Sequence, residues 1–440
     1  MSGYYLHLAS RCLRQNVALT ALIIAAIGVG IGAYMTVFTV FLVMSGNPIP
    51  EKSAQLFVPQ IDIWGPTDVA AGASPEARLP NQLTYRDATA FMQAHAAQRQ
   101  VAMYSILLDV TPQVGDPLSQ EGRATYRDFF AMFQVPFASG APWSVKDETD
   151  LADVVVLGAK LAKQLFPQSS AVGQTVNLDG RLYRVTGVMQ PWSPLPHFYD
   201  VIGNPYDPGE QFFMPFTTAV GHQIESDGNT NCGKPAAAGW AGRLASECAW
   251  IQFWAELPDA AAVRGYRQFL TNYSLEQQRL GRFHWPPLVR LSDVRQWLDL
   301  EKVVPDSARV NSLLAFGFLA VCLVNAVGLM LARFAARAGE FAVRRALGAT
   351  RTDIFLQCLT ETAVVGGLGG ITGLALTALG LAGNRATLRN LAAYAAWITH
   401  LDPAVMAFTV ALAVFAALCS GLYPTWQAAR VQPAWQLKEQ

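Results

Sequence analysis

At 440 residues, 52% of them hydrophobic and only 15% charged, the chain is too apolar for an ordinary soluble protein, in which about a quarter of residues carry charge. Equal numbers of basic and acidic residues, 32 of each, leave no global field that would draw nucleic acid. The apolar residues gather in four charge-free runs: Val17 to Met44 (28 residues), Val310 to Ala332 (23), Thr362 to Asn384 (23) and Pro403 to Ala429 (27). About 20 residues cross a bilayer as a helix, so four transmembrane helices are predicted, at 17–44, 310–332, 354–384 and 403–429.

Residues 1–16 carry Arg11 and Arg14, which the positive-inside rule places in the cytoplasm. The first span far exceeds the about 7 to 15 residues of a signal core and no A-x-A-like site follows it, so it predicts an uncleaved anchor. Residues 45–309 then form one large outer domain with α+β texture. Thr84 to Ala96 reads as an amphipathic helix, Val101 to Val110 as a strand, Asp153 to Gly158 as a buried strand and Ala159 to Phe166 as a helix. Thr175 to Leu178 and Leu182 to Val188 make a hairpin turning at Asp179-Gly180. Further on, Trp250 to Leu257 and Pro287 to Leu291 are strand-like and Ala260 to Leu270 helical. This pattern flanks a differently built middle, so residues 112–245 predict an insertion. Cys232 and Cys248 are the only cysteines of the outer domain and predict a disulfide in an oxidising compartment, with two free thiols as the alternative. No histidine lies nearer than His222 and no C-x-x-C spacing occurs, so no metal site is expected.

After the second span comes a charged cytoplasmic segment, 333–353, holding Arg333, Arg337, Arg344, Arg345 and Arg351. Arginine near the bilayer centre costs at least about 2.5 kcal/mol, so this cluster belongs at the membrane surface. Glu340 and Arg344 stand four apart in the favourable acid-first order of a helix, and Phe341, Ala342, Ala346 and Leu347 supply an apolar face. Gly348 is expected just past the helix end, and Thr350 with Asp353 resembles a capping box opening the next helix. Together with Arg345 these residues predict a short helix and a rigid elbow that carries a push from a cytoplasmic partner into the third span; a helix binding anionic headgroups is the alternative. An outer loop, 385–402, leads to the last span, and residues 430–440 return to the cytoplasm with Arg430 and Lys438.

Within the spans, Gly28 with Gly32, Gly366 with Gly370 and Gly369 with Gly373 are spaced for close helix approach, either to another protomer or within the chain. The four charge-free runs hold no Asp, Glu, Lys or Arg, so none marks an ion path. The six histidines are scattered, with no H-E-x-x-H, and no G-x-S-x-G surrounds a serine, so no catalytic residue is assigned.

Four stretches in order carry a resemblance: YRDFFAMFQVPFASG (Tyr126 to Gly140), VVVLGAKLAKQLF (Val154 to Phe166) with VGQTVNLDGRLYRVTGVM (Val172 to Met189), EFAVRRALGATRTDI (Glu340 to Ile354) and GLYPTWQAARVQPAWQL (Gly421 to Leu437). With the order of one span, a large outer domain and three spans, they resemble permease subunits of the MacB-type ABC transporter family, whose members include FtsX-like and lipoprotein-releasing proteins. The resemblance implies a periplasmic domain made of a split porter-like unit with a sabre-like insertion. It also implies a bacterial inner-membrane location, a second permease copy or paralogue, and a dimer of ATPase subunits that binds ATP and magnesium. Some members carry the ATPase at their N-terminus; here sixteen residues precede the first span. The nearest phosphate-loop pattern, GNTNCGKP from Gly228 to Pro235, has Pro235 where a magnesium-binding hydroxyl is needed. ATP hydrolysis is therefore expected in a separate chain. The implied function is export of small molecules or peptides with a periplasmic adaptor and an outer-membrane channel. Lipoprotein release, or mechanical regulation of a cell-wall hydrolase or sensor kinase, are the alternatives.

Overall fold

The computed structural model describes residues 16–65, 76, 79–112, 115–203, 205–206, 209–387 and 403–429. Arg11, Arg14, Arg430 and Lys438, and residues 388–402 of the outer loop expected at 385–402, lie outside them; the first three residues of that loop instead continue the helix Arg351–Thr387. Two compact units result: Gly46–Val303, and Met1–Ser45 with Val304–Gln440.

The first unit is built on strands β1 (Leu56–Ile61), β2 (Leu83–Thr84), β3 (Arg99–Thr111), β4 (Leu118–Thr125), β5 (Phe137–Gly140), β6 (Val154–Leu157), β7 (Thr175–Leu178), β8 (Arg181–Met189), β9 (Phe212–Pro215), β10 (Asn231–Cys232), β11 (Cys248–Glu256) and β12 (Val289–Asp293). They run in the order β12-β1-β11-β3-β4-β9-β6-β8-β5, with β2 and β10 also on β11 and with β7 joining β3 to β8. β3 pairs with β4 over eight positions, from Met103 opposite Thr125 to Val110 opposite Leu118, and carries one sheet across both halves. β10 pairs with β11, and the helix Gly239–Ala245 packs on the helix Tyr85–Ala94.

Local chemistry accounts for the elements. Thr84 caps the helix Tyr85–Ala94 by accepting from Asp87 N. Asp259 accepts from Ala261 N and Ala262 N to start the helix Ala260–Arg279, which runs nine residues past its expected end because Tyr266, Leu270 and Ser274 keep one face buried. β1 contains Pro59, a residue that argues against an inner strand. Its ladder with β11 covers only Leu56 and Phe57, so Pro59 lies beyond it. One core unites the two halves, with Phe91, Tyr104, Ile106, Trp250 and Phe253 alongside Val155, Leu161 and Phe212.

Among the described residues of the second unit, three helices are long and apolar enough to span a bilayer: Val17–Ser45, Asp306–Ala336 and Arg351–Gly383, the last continuing to Thr387. The fourth expected span is helical from Pro403 to Ala429 but is not among those three; part of its side chains lie outside the described set. A nine-residue helix, Ala338–Ala346, sits between the second and third spans.

Candidate functional site

The segment after the second span folds by short-range rules. The helix Ala338–Ala346 ends with Gly348 at φ +102°, where a side chain would be strained. Gly348 N donates to Arg345 O (3.2 Å) and Ala349 N to Arg344 O (3.1 Å), the paired bonds of a Schellman ending. Two residues later the third span opens with a reciprocal cap: Asp353 N donates to Thr350 Oγ1 (3.2 Å), and Thr350 N donates to Asp353 Oδ2 (2.9 Å). Asp353 therefore fills the position usually held by Glu.

A closed ring of side chains fixes this elbow to the third span. Arg337 donates from Nε to Glu340 Oε2 (3.0 Å) and from Nη1 to Glu361 Oε2 (2.7 Å). Arg344 bridges Glu340 Oε1 (2.7 Å) and Gln357 Oε1 (2.8 Å), and Gln357 Nε2 donates to Glu361 Oε1 (3.2 Å), closing the circuit. Arg333 adds a longer ion pair to Glu361 at 3.9 Å. Glu361 is 1% exposed, and burial of an ion is tolerated only with such partners. Burial pushes the Glu340 carboxyl up, but Arg337 and Arg344 outweigh it and hold it below the ordinary carboxylate range.

The apolar face does not follow the expected pattern. Phe341 and Ala342 are buried, with Phe341 beneath the Arg337 guanidinium and beside Phe334. Ala346 and Leu347 point outward instead, because they close the helix where its path turns. Leu347 is 84% exposed and Val343 53%, so these two, not Phe341, form the outward apolar surface. Arg345 is half-buried. Arg337, Gln357 and Glu361 had no assigned role in the sequence. The i, i+4 spacing of Gln357 and Glu361 was the available signal, but their partners lie 13 and 24 residues away.

The glycines meet inside the chain. A Cβ on Gly28 would fall 2.9 Å from Thr372, one on Gly32 2.7 Å from Leu376 Cβ, one on Gly369 2.8 Å from Ile27 and one on Gly373 3.0 Å from Ile31. The first and third spans therefore interlock through these four positions; Gly366 and Gly370 are buried as well. In the outer domain Cys232 and Cys248 form a disulfide across β10 and β11.

Residues 20–268 match the family model of the MacB-like periplasmic core domain, and residues 312–433 that of the FtsX-like permease C-terminal region. Among curated relatives, the macrolide export ATP-binding/permease protein MacB of Azoarcus sp. (strain BH72) is 26% identical over 97% of this chain and 58% of its own length. The pyoverdine export ATP-binding/permease protein PvdT of Pseudomonas syringae pv. syringae (strain B728a) is 26% identical over 69% of this chain and 40% of its own. The chain thus spans about half the length of the curated relatives it matches. Among solved structures, the periplasmic region of MacB from Actinobacillus actinomycetemcomitans covers 59% of this chain and 96% of that one, at 13% identity and a TM-score of 0.37.

Proposed function

The chain belongs to the family of permeases that join a MacB-like periplasmic core domain to an FtsX-like C-terminal region, and from that premise we propose that it is the permease subunit of a MacB-type ABC exporter. In this reading four helices cross the inner membrane, and the outer unit divides into a split porter-like part and a sabre-like part in the periplasm. A partner ATPase dimer consumes ATP, a second permease copy or paralogue completes the assembly, and the periplasmic unit moves small molecules or peptides toward an adaptor and an outer-membrane channel.

The observation that carries the reading is the closed ring around Glu361. A helix bearing outward Leu347 and Val343 is fastened to the third span by four ring bonds of 2.7 to 3.0 Å and a fifth of 3.2 Å, so displacement of the helix displaces the span. The contact and the fastening use different residues, and this separates the tests. Leu347→Asp should leave folding intact and abolish stimulation of the co-expressed ATPase by the permease. Unchanged stimulation in that variant, or tagged permease that brings down no ATPase, would refute the coupling role.

A further inference from the structure

Where β11, β3 and β4 run side by side, a cleft of about 160 Å³ opens between the sheet face and loops around residues 200 and 228. Arg123 forms its floor, opposite Ser105 in the β4–β3 register and beside Trp250 and Gln252 of β11. The wall is firmly built. Arg123 donates from Nη2 to Asp200 Oδ2 (2.8 Å) and from Nε to Glu210, Gln252 Nε2 donates to Asp200 Oδ1 (3.0 Å), and Tyr199 OH donates to Glu210 Oε2 (2.8 Å). Trp254 Nε1 donates to Tyr199 O at 3.1 Å and pins the same loop.

Four buried polar atoms on residues lining this cleft have no protein partner among the described residues: the donors Arg123 Nη1 and Trp250 Nε1, and the acceptors Gln82 Oε1 and Gln252 Oε1. Buried polar atoms are almost always satisfied, and four exceptions around one cavity call for partners from outside the chain. Charge narrows what those partners are. The lining holds four carboxylates, Glu121, Asp200, Glu210 and Asp227, against the Arg123 guanidinium and the His197 imidazole. Arg123 is already shared by two of them, while Glu121 and Asp227 are exposed. Such a field repels an anion and attracts a cation. At about 30 Å³ per water, the space equals roughly five waters, or one compact ligand.

We propose that this cleft binds a small organic cation that also carries hydroxyl or carbonyl oxygens. Its ammonium group sits toward Glu121 and Asp227 and donates to the two glutamine oxygens; its neutral oxygens accept from Arg123 and Trp250. β11 belongs to the flanking half of the sheet and β4 to the inserted half, so an occupant braces the seam between them. The site rests on its own geometry and holds whether or not the chain exports anything.

Calorimetric titration of the full chain in detergent with three sugars of one size tests it: glucosamine at a pH where its amine is charged, neutral glucose and anionic glucuronate. Glucosamine should bind about tenfold more tightly than glucose, and glucuronate should not bind. The double substitution Glu121→Gln and Asp227→Asn, at the exposed mouth, should bring glucosamine to the level of glucose. Ser105→Trp, which fills the cleft, should abolish both. No binding of glucosamine to the parent, equal binding of all three sugars, or undiminished binding after loss of both carboxylates would overturn the proposal. The mouth substitutions decide the matter even if Ser105→Trp disturbs the sheet.

Discussion

Two arginine clusters in this protein show opposite uses of buried charge. At the elbow, each residue of the ring from Arg337 through Glu340, Arg344, Gln357 and Glu361 meets two others, and the circuit closes on itself. At Arg123 the carboxylates of Asp200 and Glu210 are satisfied, yet Arg123 Nη1 and its neighbour Gln252 Oε1 are left over beside a cavity. A closed circuit holds one arrangement and resists deformation, whereas an open one retains capacity to bind. The first suits a part that transmits movement and the second a part that receives a ligand.

The comparison breaks first at Glu361. Glu361→Gln leaves Arg337 and Arg333 facing a neutral amide in a buried site, and should lower stability by about 3–5 kcal/mol, read as the midpoint of unfolding in detergent. Glu210→Gln should lose less, about 1–3 kcal/mol, because Asp200 still faces Arg123 and the adjoining cleft admits water. If Glu210→Gln proves as damaging as Glu361→Gln, the distinction between closed and open clusters fails. Gly32→Ala examines the packing of the first span on the third, further along the helix to which the ring is fastened. Its new Cβ would lie 2.7 Å from Leu376 Cβ, and the resulting overpacking of the first and third spans should destabilise by about 1–2 kcal/mol.

The smallest effect concerns pH. Burial raises the Glu148 carboxyl to about 7 despite a hydrogen bond from Arg127 N (3.2 Å). The folded state then holds a proton that the unfolded chain has released, so stability falls as pH rises from the ordinary carboxylate range toward 7 and levels off above it. Glu210 behaves oppositely. Burial raises its carboxyl, but Arg123 and His197 outweigh this and hold it below its ordinary range, so its contribution is lost only as pH falls through that lowered value. Glu148→Gln should flatten the decline between about pH 5 and 7, as thermal unfolding across that range would reveal. An unchanged slope would show that Glu148 does not titrate there.

What could be read from residue order was what short range governs. The charge-free runs marked helices because lipid leaves no other way to satisfy the backbone, and Gly348 and the Thr350–Asp353 pair marked the elbow because caps act within a few residues. The ring escaped because Arg337 and Glu361 meet only after the chain has turned back on itself. Leu347 was placed on the same face as Phe341 because helical periodicity was carried one residue past the helix end. β4 escaped for another reason: Leu118–Thr125 mixes Ser, Gln, Glu, Gly and Arg, and is a strand because β3 and β9 flank it. The cleft could not be foreseen, since Gln82, Arg123, Trp250 and Gln252 converge from separate strands and loops.

The glycine interlock also limits how two copies of this chain could sit side by side. Gly28 and Gly32 are filled by the third span of their own chain, while the second span presents Leu313, Leu314, Phe316, Val321 and Val324 outward. A neighbouring copy meeting that helix would stand off at the 8–10 Å of ordinary bulky contacts. Closer approach would have to use Gly317 and Gly328 of that same helix, which are exposed and have open space where a Cβ would sit.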